Sequence, residues 1–137
     1  MQVSYSAESI LDSTLSRNDL RVLLVYPNTR DVAMSNLGFQ QVYSLLNKID
    51  GVMCDRFAMP VGWKPETQSL EREALRSMDL KMHPLEFDVI AFSISFEPDY
   101  LNTVLALKYF VIPLDRKERD ASLPMITAGG SAVFINP

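Results

Sequence analysis

The sequence predicts an α/β fold of the Rossmann or flavodoxin-like kind, a three-layer domain whose parallel sheet has the strand order 2-1-3-4. Three observations predict it. The runs Arg21-Val-Leu-Leu-Val-Tyr-Pro27 and Val89-Ile-Ala-Phe-Ser-Ile-Ser-Phe96 are continuous and rich in β-branched and aromatic residues, the pattern of strands buried on both faces. Helix-spaced segments alternate with the strands, which calls for right-handed crossovers and parallel pairing. The chain has 137 residues, enough for one hydrophobic core and too few for two.

Taken in order, residues 1–19 are a polar leader with scattered apolar positions (Ile10, Leu11, Leu15), and the α/β domain spans 20–137. The first strand is expected to end at Pro27. Ser35 reads as an N-cap, with Phe39, Val42, Tyr43 and Leu46 at helical spacing after it and Gly51 as the stop signal. Val52 to Met59 reads as a second strand, less apolar than the first and therefore suited to an edge, closed by Pro60. Leu70, Ala74 and Met78 recur every fourth residue and predict an amphipathic helix over Glu66 to Asp79. The third strand, Val89 to Phe96, leads to a helix marked by Leu101, Val104 and Leu105 and capped near Asp99. Asp115 to Asp120 reads as a solvated charged loop, and Pro124 to Ala128 as a short fourth strand running into Gly129-Gly130. No helix is expected after that strand. A flavodoxin-like sheet carries a fifth strand, so the expectation is a domain truncated before it, with an exposed fourth edge that favours a homo-oligomer.

Composition narrows the function classes. Hydrophobic residues are 47% and charged residues 22% of the chain, which places it among folding sequences. The net charge of −4 supplies no electrostatic reason to bind nucleic acid or an anionic membrane surface. The longest apolar stretches are strand-length, well short of the roughly 20 residues that a membrane helix needs, and no secretory signal is evident, so a cytoplasmic location is expected. Cys54 is the only cysteine, which excludes an internal disulfide and any iron–sulfur cluster held within these residues.

The chemistry-bearing segments fall at the expected carboxyl ends of the strands, where open parallel sheets bind ligands. They are Tyr26 to Phe39, Phe92 to Tyr100 and Ala128 to Pro137. Together with Leu114-Asp-Arg-Lys-Glu-Arg-Asp120, this ordered set resembles the N-terminal domain of a family of radical S-adenosylmethionine (radical SAM) proteins with a cobalamin-binding-like module ahead of the radical barrel. The resemblance covers residues 20–137. It implies a non-catalytic accessory domain that positions a corrinoid or substrate over a downstream radical SAM domain of the same chain. That domain would carry a 4Fe-4S cluster and cleave S-adenosylmethionine; the Cys-Xaa-Xaa-Xaa-Cys-Xaa-Xaa-Cys motif that holds such a cluster is absent here. The resemblance further implies a cobalamin lying over the carboxyl rim with its nucleotide tail between strands. One departure bears on it. Many cobalamin domains carry Asp-Xaa-His-Xaa-Xaa-Gly after the first strand, whereas the segment Asn28 to Gly38 has no histidine, so cobalt ligation by a histidine of this loop is excluded.

The residues assigned to the cofactor site are Pro27, Asn28, Ser35, Gly38, Ser93, Ser95, Glu97, Gly129 and Gly130; no catalytic or metal-ligating residue is assigned. Each has a plainer reading. Gly129 and Gly130 let a backbone approach a ligand closely, or serve an ordinary strand-to-helix turn. Ser93 and Ser95 face a ligand, or are core serines satisfied by the backbone. Asp31 and Glu97 read as solvated carboxylates, His83 as a surface residue before Pro84, Cys54 as a small core residue, and Trp63 as packing. The corrinoid module has two alternatives: a degenerate, cofactor-free docking domain whose rim is filled by Met34, Phe39 and Phe96, and a free-standing flavin carrier, for which the hydroxyl-rich phosphate loop after strand one is lacking.

Overall fold

The computed structural model describes residues 19–60 and 75–137. Four parallel strands, β1 (Leu20–Thr29), β2 (Val52–Met59), β3 (Val89–Ser93) and β4 (Met125–Gly129), form one sheet in the order β2-β1-β3-β4. The sheet order expected from the alternation of strands and helices is therefore the observed one. Among the described residues the helices are α1 (Arg30–Ser35), α2 (Leu37–Leu46), α3 (Asp99–Tyr109) and α4 (Ser131–Ile135).

The central strand explains the layering. Successive side chains of β1 point to opposite faces, and all of Val22 to Tyr26 are buried. Leu23 and Val25 join Phe57, Ile90, Phe92, Ala106, Leu107 and Phe110 on the α3 side, where the Phe57 and Phe110 rings meet edge to face at 5.0 Å. Val22, Leu24 and Tyr26 join Ala33, Phe39 and Cys54 on the α1–α2 side, with Tyr26 edge-on to Phe39 at 5.3 Å. The β2 edge is secured by polar contacts. The Asp55 carboxylate, buried in the core, accepts from the backbone N–H groups of Arg56, Asp79 and Leu80. The Arg56 guanidinium lies 4.0 Å from the centre of the Tyr43 ring and pairs with Asp79 at 3.1 Å.

Several expectations are corrected. Pro27 does not end β1: the strand continues to Thr29, with an irregular register between Tyr26 and Thr29, and a proline is tolerated at such a bulge because no ladder hydrogen bond is required of it there. Ser35 is not the N-cap of the main helix. The chain leaves helical geometry at Asn36 (φ −86°, ψ 109°), whose Oδ1 accepts from Phe39 N–H at 2.9 Å, while the Ser35 hydroxyl donates to the Val32 carbonyl. Most of the helix expected over Glu66 to Asp79 lies outside the described residues, and so does Trp63; positions 75–79 are a turn, not a helix. β3 stops at Ser93 rather than Phe96. A helix does follow the fourth strand, the short α4. The loop at 115–120 contains a 3-10 turn whose N-cap Asp115 accepts from Lys117 N–H. His83 is half-buried and caps a 3-10 turn at Pro84–Glu86, its Nδ1 accepting from Leu85 N–H at 3.1 Å.

β4 has no partner strand on its outer side among the described residues. The C-terminus of α3 is closed by Val111, which adopts φ 60° while 76% exposed. The turn bonds Ile112 N–H to Leu107 O and Val111 N–H to Lys108 O need that left-handed residue, and a β-branched side chain is strained there. Val111→Gly should therefore raise the unfolding free energy by about 1 kcal/mol, the left-handed penalty removed exceeding the extra unfolded-state entropy of glycine. Urea denaturation followed by far-ultraviolet circular dichroism measures it, and a lower midpoint for the variant contradicts the strain argument.

Candidate functional site

The rim at the carboxyl ends of β1, β3 and β4 opens, on the α2 side of the sheet, into a cleft of about 500 Å³. Its floor and walls are Leu24, Phe39, Val42, Ala91 and Phe92; its polar groups come from Asn36, Ser93, Ser95, Thr127 and Ser131, with Gly38, Gly129 and Gly130 at the mouth. No charged side chain lines it. Phe39 is fully buried and forms part of the wall, while Met34 and Phe96 are 43% and 58% exposed, so the three do not fill the rim.

Five of the expected site residues, Gly38, Ser93, Ser95, Gly129 and Gly130, converge on this cleft. Four stand elsewhere. Pro27 is buried in the β1 irregularity. Asn28 turns to the α3 N-terminus, where its Nδ2 donates to Asp99 Oδ1 at 3.2 Å. Ser35 is exposed and bonded to its own helix. Glu97 is an exposed residue of the turn before α3, as is Asp31 on α1. Asn36, Thr127 and Ser131 are cleft residues that the sequence pattern does not single out. Asn36 carries a signal all the same, since asparagine is as good an N-cap as serine and sits at the correct spacing from Phe39.

The two glycines have different jobs. Gly130 has φ +113°, and a Cβ built on it would lie 2.4 Å from the Ile94 carbonyl oxygen. The surrounding backbone clasps Ile94: its N–H donates to Gly129 O at 2.8 Å and its carbonyl accepts from Ala132 N–H at 3.1 Å. The close approach that Gly130 permits is thus to the end of β3. Gly129 has nothing within 4 Å of its would-be Cβ and leaves space at the cleft instead.

Hydroxyl polarity distinguishes the serines. Asn36 Nδ2 donates to Ser95 Oγ at 3.2 Å and to Tyr26 Oη at 3.4 Å. Ser131 Oγ donates to the Ser95 carbonyl at 3.1 Å. The hydroxyls of Ser93 and Thr127 have no protein partner among the described residues, which weighs against Ser93 as a core serine satisfied by the backbone.

A buried carboxylate, Asp99, only 2% exposed, stands at the start of α3. Its Oδ1 accepts from Asn28 and from Asn102, and its Oδ2 has no partner among the described residues. Burial pushes its pKa above the ordinary carboxylate value of 3.8, and the two amides only partly offset that. Cys54 is also buried, and its thiol is pushed up to about 12, mainly by burial and then by Asp55, so it is no nucleophile. Among the described residues no group of three or more His, Cys, Asp or Glu could hold a metal ion, and no helix is long and apolar enough to cross a membrane.

Residues 38–137 match the family described as radical SAM proteins, N-terminal. No curated protein and no solved structure matches the chain.

Two predictions test this geometry. Gly130→Ala should destabilise the fold by on the order of 3 kcal/mol through strain and overlap with Ile94, whereas Gly129→Ala should cost under about 1 kcal/mol, with chemical denaturation reporting both; equal losses would refute the division of labour between them. For Asp99, a folded-state pKa above the unfolded one means that ionisation costs stability at pH values above the folded pKa, and that this cost vanishes below the unfolded value. Asp99→Asn should therefore melt higher than wild type at pH 7, and the gap should close as the pH falls towards 3, on the order of the unfolded carboxylate pKa. Thermal melts across that range check the sign.

Proposed function

The chain belongs to the N-terminal family of radical SAM proteins, and on that premise we propose that it is the accessory module that holds a corrinoid, or a substrate bound in the same way, against the radical domain of its parent protein. The observation that carries the reading is the open, uncharged cleft at the carboxyl rim, on which Gly38, Ser93, Ser95, Gly129 and Gly130 converge from three separate segments of the chain. Parallel α/β sheets bind ligands at this rim.

The residues present suit a corrinoid in a particular manner. A cleft of about 500 Å³ takes appendages hanging beneath a macrocycle, with the ring itself over the rim. The mouth is widened by the empty space at Gly129, and hydroxyls of Ser93, Ser95 and Thr127 offer hydrogen bonds to neutral groups. The segment Asn28 to Gly38 has no histidine, so in this reading the protein orients the cofactor and excludes water beneath it without ligating cobalt. When bound, cobalamin would supply a cobalt centre able to carry a methyl group. The 4Fe-4S cluster and S-adenosylmethionine would belong to the partner domain, since this chain has one cysteine.

The missing histidine also favours a second reading, a cofactor-free docking domain of the same parent protein. Its surface would include Phe134 and Ile135, which are 89% and 77% exposed at the end of α4. An absorbance-monitored titration with hydroxocobalamin, followed by desalting, separates the two. The corrinoid reading expects a shifted corrin spectrum that travels with the protein and is lost in Gly129→Leu, which fills the mouth of the cleft. A colourless protein after desalting supports the docking reading.

A further inference from the structure

The hydrogen-bond directions inside the cleft go beyond a general affinity for corrinoids, and the selectivity they impose rests on the corrinoid reading. Asn36 has no freedom to reverse its side-chain amide. Its Oδ1 accepts from Phe39 N–H at 2.9 Å, and a backbone N–H can only donate. Nδ2 is therefore fixed towards Ser95 Oγ and Tyr26 Oη, at 3.2 and 3.4 Å. Because Ser95 Oγ accepts from Asn36, its own proton is left to donate, and it has no acceptor among the described residues. Ser131 is set the opposite way. Its proton goes to the Ser95 carbonyl at 3.1 Å, so its hydroxyl offers lone pairs. The cleft thus presents one oriented donor and one oriented acceptor, both tied to residue 95, with no charged side chain among its lining residues.

We propose that Asn36 is the specificity-determining positioning residue of this cleft, and that the polarity it imposes on Ser95 beside Ser131 selects a neutral carboxamide group of the ligand. A primary carboxamide is complementary on both counts, its C=O accepting from Ser95 and its NH₂ donating to Ser131. A phosphate or carboxylate is not. It would find only neutral hydroxyl donors, Ser95 with the freely turning Ser93 and Thr127, the Ser131 lone pairs would oppose it, and no charged side chain among the lining residues would compensate the loss of its hydration. The peripheral amide arms of a corrinoid are groups of the selected kind.

Three proteins and two kinds of probe test the proposal. Cyanocobalamin and its monocarboxylate derivatives, each with one peripheral amide hydrolysed, are titrated against wild type, Asn36→Asp and Ser95→Ala by equilibrium dialysis. Aspartate keeps the acceptor that caps α2, so the fold is retained, but it turns the Ser95 proton inward and away from the ligand. Far-ultraviolet circular dichroism of each variant provides the folding control. The expected result is binding of cyanocobalamin by Ser95→Ala about tenfold weaker than wild type, a larger loss for Asn36→Asp, and about tenfold weaker binding of at least one monocarboxylate by wild type. If wild type binds cyanocobalamin while both variants and every monocarboxylate match it, the carboxamide inference fails and the corrinoid reading stands. If wild type binds none of the probes, both fall together.

Discussion

Val22 to Tyr26 are buried on both faces of the sheet, and the rest of the molecule is arranged to keep them so. A strand with two apolar faces needs neighbours on both edges and helices above and below. β2 and β3 supply the edges, α1 and α2 one cover, and α3 the other. Right-handed crossovers then start every connecting segment at the same end of the sheet. The loops that leave β1, β3 and β4 consequently meet at one rim, and the cleft is what remains between them. Its position comes from burying one strand, which is why residues more than ninety positions apart, such as Asn36 and Ser131, line one hollow.

Much of this is legible in the sequence. Continuous apolar runs identify β1 and β3, the more polar Val52 to Met59 identifies an edge, and alternation with helices gives the order of strands. What misleads are local signals overridden by tertiary context. Pro27 looks like a terminator, yet β1 absorbs it in an irregularity of its pairing with β2. Ser35 and Asn36 are both good caps, and adjacent candidates cannot be separated by propensity alone; the chain uses Asn36, whose longer side chain also reaches Ser95 and Tyr26. The five-residue α4 has too little periodicity to be recognised from its apolar pattern.

The candidate site is legible in position more than in membership. Strand-end serines and the Gly-Gly pair are recoverable because the rim is where such folds bind ligands. Asn28 and Glu97 share the same rim by sequence, but β1 and the turn before α3 carry them away from the cleft, Asn28 to Asp99. The glycines show why residue type alone cannot assign a role. Gly130 is required by the Ile94 backbone, and Gly129 by nothing in the protein itself. Hydrogen-bond direction is further still from the sequence, because it depends on which backbone N–H groups the helix start leaves for Asn36 to satisfy.

The cleft and the Asp99 carboxylate illustrate two ways of placing polarity near the carboxyl ends of the strands. Asp99 is buried at the start of α3 with one oxygen unpartnered among the described residues, and burial raises its pKa, a local cost to the fold. The cleft is lined by no charged side chain; of its hydroxyls, Ser95 is oriented by Asn36, which already serves as a helix cap, and Ser131 by the Ser95 carbonyl. With no charged side chain among the lining residues, hydrogen-bond direction is what gives the cleft its polarity. Asn36, Ser95 and Ser131 all stand outside the strands, so those directions are set by the helix starts and by the turn after β3.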